Sequence, residues 1–222
     1  LIIAFIVLSP FLISAIRKIQ KHHIKPLLIV SLIGTVLPAI IFAKSQMYIQ
    51  SSLAGMLNSL TPMFTLIFGI IIFNKNLNIQ NIIGIIIGLV GTYFLLSPIQ
   101  ENIIHTKYNL LIIFATMCYA ISINTIKEKL HSMKSLEIAV ISSMISAIVP
   151  FIYICNTGLL YNINKIFVNF SHFYYLIILG GVCTSLAIIL FNYLIKSSSA
   201  LFGSSTTYLI PVFAIIWGVL DS

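Results

Sequence analysis

Leu60-Thr61-Pro62-Met63-Phe64-Thr65-Leu66-Ile67-Phe68-Gly69 and Leu209-Ile210-Pro211-Val212-Phe213-Ala214-Ile215-Ile216-Trp217-Gly218 share one pattern, L-x-P-x-F-x-x-I-x-G, at an offset of 149 residues. Chance pairs of Ile and Leu are expected in a chain this apolar, but a proline, a glycine and a phenylalanine in one register are not. The register continues upstream without a gap. It aligns residues 28 to 71 with 177 to 220 and pairs Thr35 with Thr184, Leu37 with Leu186 and Phe42 with Phe191. The chain therefore reads as an internal duplication.

The composition says which solvent the two copies meet. Hydrophobic residues fill 59% of the 222 positions and charged residues only 7%, against about 25% charged in a soluble domain. A bilayer rewards such an exterior where water does not. Apolar runs long enough, or nearly so, to cross the hydrocarbon at the helical rise lie at about 1 to 16, 27 to 49, 51 to 73, 79 to 97, 109 to 126, 135 to 155, 172 to 195 and 199 to 220. Backbone in lipid must satisfy its own hydrogen bonds, and these runs exceed the roughly ten-residue alternating strands of a membrane barrel. The expected fold is an all-α polytopic membrane protein with about eight transmembrane helices.

The net charge of +8 does not point to nucleic acid, because the cations sit in short gaps between apolar runs and form no basic face. Alternate gaps share a side of the membrane. Arg17, Lys18, Lys21, Lys25, Lys75, Lys127, Lys129, Lys134 and Lys196 fall on one side and Lys107 and Lys165 on the other, while Lys44 lies within a span. The positive-inside rule makes the first side cytoplasmic. The abundance of Ile, Asn and Lys suits AT-rich codons, so the expected location is the plasma (inner) membrane of a bacterium.

The paired spans, 51 to 73 and 199 to 220, stand five helices apart. An odd period reverses direction across the membrane, so the copies are expected to be inverted repeats, an architecture of secondary transporters whose site lies near the midplane. The expected cavity lies between the helices at 27 to 49, 51 to 73, 172 to 195 and 199 to 220.

Further residues carry a resemblance to a known family. The run SSLAGMLNSLTPMFT from Ser51 to Thr65 resembles the fourth helix of the EamA-like family of the drug/metabolite transporter superfamily. Gly84-x3-Gly88-x2-Gly91 resembles its fifth helix, and TTYLIPVFA from Thr206 to Ala214 the matching helix of the second repeat. The resemblance covers about residues 27 to 98 and 109 to 220. It implies ten helices in two inverted five-helix repeats, here 1–98 without its first helix and 109–222 without its last. Leu1 opens inside an apolar run, in keeping with a helix cut partway. Asn74-Lys75-Asn76-Leu77 departs from the Gly-Glu-Arg-Leu turn common among relatives, which removes any role resting on that Glu.

Several residues are candidates for the site. Lys44 is the one basic residue inside a span, and intramembrane charge is costly enough to need a reason. It either contacts an anionic group in a cavity or snorkels to the interface. Asn58 lies mid-span and maps onto Thr207, so the two are expected to face each other near the pseudo-twofold axis, as a substrate contact or as an interhelical hydrogen bond. Pro62 and Pro211 each free a carbonyl one turn upstream, near Asn58 and Thr207, and mark candidate hinges. Tyr119, Tyr208, Asn124 and Asn192 are further polar candidates, for binding or for packing. Gly84, Gly88 and Gly91 fit close helix packing, and His22 and His23 are read as a solvated loop.

No metal, cofactor or catalytic set is expected. Cys118, Cys155 and Cys183 show no ligand spacing, and Glu101, Glu128, Glu137 and Asp221 all lie in loops or at span ends. The expected function is alternating-access transport of a small organic metabolite, not catalysis, with lipid and that solute as partners. The alternative is an inactive or non-transporting membrane fragment. Assembly into a homo-oligomer stays open.

Overall fold

The computed structural model describes residues 1–76, 78–96, 106–157, 174 and 177–213. Lys165, Glu101 and Asp221 lie outside the described residues, as does the end of the last expected span. Within them the chain forms α1 (Ile2–Ile16), α2 (Lys21–Ser45) and α3 (Ser51–Asn58 and Thr61–Ile71). These are followed by α4 (Ile79–Leu96), α5 (Thr106–Lys129), α6 (Ser135–Asn156), α7 (Ile178–Ser197) and α8 (Ala200–Phe213). No strand occurs among the described residues. Five helices, α2, α3, α5, α6 and α7, are long and apolar enough to cross a membrane, and α1, α4 and the described part of α8 are shorter apolar helices. Large apolar side chains point outward, Ile13 and Phe94 each 68% exposed and Leu179 61%, as they must where lipid is the solvent. The fold is that of an all-helical, multi-pass membrane protein.

Contacts at the ends set the helix directions. At the start of α2 the His23 ring meets Ser132, just past α5 (2.8 Å), and just beyond its other end Tyr48 stacks on Tyr108 near the start of α5 (centroids 4.2 Å). Helices α2 and α5 are therefore antiparallel. Helix α3 runs with α5: Asn124 Nδ2 donates to Thr65 O (2.9 Å), and Lys75 just past α3 pairs with Glu128 (2.9 Å). Lys127 Nζ donates to Lys196 O (2.9 Å) and Ser198 O (2.6 Å), so α7 ends where α5 ends and α2 begins. Helix α8 leaves from that same end, where Gly203 packs on Ile195. Thus α2 and α7 run in opposite directions, and so do α3 and α8.

The cations gather at this end, which we call the basic end. Lys18 pairs with Glu137 (2.7 Å), and Glu137 also accepts from the Lys134 backbone N–H (2.8 Å) to cap α6. Leu130, Met133, Ile138, Ile141 and Ile195 pack there as the largest buried cluster. Only a small one, built on Ile49, Ala54 and Ile112, lies toward the other end.

Two local expectations are corrected. Helix α2 begins at Lys21 and not near residue 27, because Lys and His are acceptable helix formers and hydropathy alone drops them from a span. His23 is not solvated. It is 3% exposed, its Nδ1 accepts from the Gln20 N–H (3.3 Å), and Nε2 therefore carries the proton given to Ser132. That side-chain cap starts α2 in place of water.

Both long helices with repeat partners are distorted at the same place. Ile29–Val36 in α2 and Ile178–Thr184 in α7 are π-helical, and the two stretches begin 149 residues apart. In each, a threonine hydroxyl donates to the carbonyl five residues back, Thr35 to Val30 (3.2 Å) and Thr184 to Leu179 (2.6 Å). Pro38 follows the first stretch, but Ala187 stands at that place in the second. Threonine is the feature they share.

Candidate functional site

A cavity of about 960 Å³ opens among α2, α3, α5, α7 and α8. Its walls come from Phe42 and Gln46 on α2, then Ser51, Gly55, Asn58 and Thr61 on α3, and Tyr119 and Ile123 on α5. Residues between Ala187 and Leu194 on α7 and Thr206, Thr207 and Ile210 on α8 complete them. The four helices expected around the cavity are present, and α5 joins them. The lining runs from the turn between α2 and α3 inward to mid-helix, and the ion pairs of the basic end contribute nothing to it.

The break in α3 aims its polar groups. Helix α3 halts at Ser59 and Leu60 and restarts at Thr61, with Pro62 in the first turn of the new segment. Proline has no N–H to return to Asn58 O. The freed carbonyl is not open to the cavity as expected, because Thr61 Oγ1 donates to it at 2.7 Å. In α8 a 3₁₀ turn at Thr206–Tyr208 takes the same place, so Thr206 and Thr207 sit on the tightened turn before Pro211.

The structure divides the candidate residues. Asn58, Tyr119 and Thr207 line the cavity; Asn58 is 8% exposed, and the Tyr119 and Phe42 rings stand side by side (centroids 6.1 Å). Lys44 does not line it. It is exposed in the last turn of α2, about 200° around the helix from Phe42, while Phe42 and Gln46, four apart, share the cavity face. Tyr208 turns away and donates to Ile85 O (3.3 Å), with its ring against Gly88 where any Cβ would intrude. Asn192 is buried outside the described lining, and its Nδ2 has no hydrogen-bond partner among the described residues. Pro62 and Pro211 are both buried. Of the three small residues of α4, Gly88 alone meets a neighbour among the described residues.

Sequence reasoning passed over Gln46, Ser51, Thr61, Thr206 and, as wall residues, Phe42 and Phe191. Phe42 and Phe191 stand 149 residues apart in the register of the sequence match, and that pairing was the available signal: both face the same space. Among the described residues no group of three or more metal-ligating side chains occurs.

The model of the EamA-like transporter family matches the chain over residues 1–97 and 106–220. No curated protein and no solved structure matches it. The two matched stretches take in nearly every residue from which the bundle and its cavity are built, and the chain therefore belongs to the EamA-like transporter family, within the drug/metabolite transporter superfamily of membrane proteins.

Proposed function

We propose that the chain carries a small organic solute across the membrane by alternating access, with residues 1–98 and 109–222 as inverted repeats and the cavity as the solute site. The observation that carries this reading is the pairing of the lining. Phe42 and Phe191, Asn58 and Thr207, and Thr61 and Ile210 are each 149 residues apart, lie on helices that run in opposite directions, and all face one cavity. A pseudo-twofold axis through a shared site is what an inverted-repeat carrier requires. The π-helical stretches at equivalent positions support the same duplication.

The contacts at the basic end support a state closed on that side. Lys18 with Glu137, Lys75 with Glu128 and His23 with Ser132 each join residues 1–98 to residues 109–222. For transport these contacts must part. The membrane we infer is the plasma membrane of a bacterium, on the residue bias noted above.

The test locks the closed end. Lys75→Cys and Glu128→Cys are combined in a background free of Cys118, Cys155 and Cys183, and bridged by a short, reducible bifunctional thiol reagent in proteoliposomes. Uptake of a labelled metabolite found by screening is expected to stop on bridging and to return on reduction. Full-rate uptake by the bridged protein would refute alternating access.

A further inference from the structure

The chemistry of the cavity wall narrows the solute. Among the described lining residues none is Asp, Glu, Lys, Arg or His; the polar groups are the amides of Gln46 and Asn58 and a set of hydroxyls. Three of those hydroxyls are not neutral in what they offer. Thr61 gives its proton to Asn58 O (2.7 Å), Thr206 to Gly203 O (2.8 Å) and Thr207 to Ser204 O (2.8 Å). A hydroxyl that donates into its own helix keeps only lone pairs for the cavity. Three of the polar contacts around mid-helix are therefore acceptors.

Aromatic rings form much of the remaining wall. Phe42, Tyr119 and Phe191 contribute rings, whose π faces carry the negative part of the ring quadrupole. An anion entering here meets the amide and phenol donors of Gln46, Asn58 and Tyr119 but no cation among the described lining, and neutral donors replace its lost hydration only in part. A full cation gains some attraction from the rings, but it too lies within the membrane without a counter-charge. A solute with no charge, an apolar body and N–H or O–H donors loses least and matches most. At about 960 Å³ the cavity is at the upper end for small-molecule sites, with room for two or three fused rings.

We infer that the cavity takes an uncharged, apolar-bodied solute that donates hydrogen bonds to Thr61, Thr206 and Thr207, and discriminates against carboxylates, phosphates and ammonium groups. This rests on the reading of the cavity as the solute site. It departs from the anion-binding role open to Lys44, which lies outside the lining.

A matched set on one ring tests it: nicotinamide, its N,N-dimethyl amide, nicotinate and 3-(aminomethyl)pyridine, the last two charged at neutral pH. Binding to the full-length purified protein is read as ligand-dependent thermal stabilisation. Nicotinamide is expected to bind at least tenfold more tightly than either charged compound and at least threefold more tightly than the dimethyl amide. The preference over the dimethyl amide should shrink in Thr207→Val, which lacks one acceptor. Equal or tighter binding of nicotinate or the ammonium compound overturns the inference, and so does failure of the whole set to bind. Flux in proteoliposomes separates this from the carrier reading. Nicotinamide that binds without flux counts against carriage and leaves the solute class intact, whereas flux of nicotinate in preference to nicotinamide does the reverse.

Discussion

At Gly34 the α2 backbone lies so close to α5 that a Cβ built there would run into both the Oγ and the Cβ of Ser122. Gly34→Ala is expected to destabilise the protein by about 1 to 3 kcal/mol, the usual cost of overpacking. Ser122→Ala should not rescue it, because the Cβ itself is in the way, but Ser122→Gly should. Thermal denaturation of the two double variants checks this, with Gly84→Ala, which meets nothing within 4 Å, as a control expected to be near neutral. Lys44 and Asn58 form a second contrast. Lys44→Gln should leave uptake at the wild-type level, while Asn58→Leu should lower kcat/KM by a factor corresponding to about 0.5 to 1.5 kcal/mol, one hydrogen bond. Uptake normalised to protein in the membrane reads both; a large loss in Lys44→Gln would restore the anion-binding role. Asn58, Tyr119 and Thr207 were legible because a polar group mid-span is costly and needs a reason. Lys44 was left between cavity contact and snorkelling, because charge shows depth in the sequence but not angle around the helix.

At the scale of elements, the sequence carried helix existence well and helix irregularity poorly. Apolar runs reveal where a helix crosses lipid. They do not reveal which carbonyl each N–H reaches, so the π-helical stretches of α2 and α7 are not legible there, whereas Pro62 and Pro211 are. Proline at the start of a segment is well accommodated, and Thr61 serves the carbonyl that Pro62 abandons. Each widened turn carries instead a threonine hydroxyl bond, from Thr35 or from Thr184. Thr35→Val and Thr184→Val each remove the second hydrogen bond to a carbonyl that the π-helical N–H already serves, with an expected cost of up to about 1 kcal/mol. Serine at either position should keep most of the stability, since the hydroxyl and not the methyl group makes the bond. Denaturation midpoints of the Val and Ser variants decide this, and equal midpoints would show the hydroxyls to be incidental.

For the molecule as a whole, the basic loops assigned to one side by counting do meet at one end, through Lys18, Lys75, Lys127 and their partners. That end is expected to face the cytoplasm. Single cysteines at 22 and 131 should react with an impermeant thiol reagent only after the cells are opened, and one at the exposed Met47 should react on intact cells. The opposite labelling would invert the topology. The sequence could not show how residues 1–98 and 109–222 interlock, because pairing partners leave no mark in hydropathy. Helices α2 and α3 both lie against α5, and α1 and α2 both lie against α6. This interlocking bears on biosynthesis. The ribosome releases α1 to α3 before their principal neighbours exist, so those helices must wait in the bilayer, their inner faces covered by lipid or by the insertion machinery. Only the arrival of α5 lets the first-made half close, and a pause in translation after residue 98 would leave it stranded.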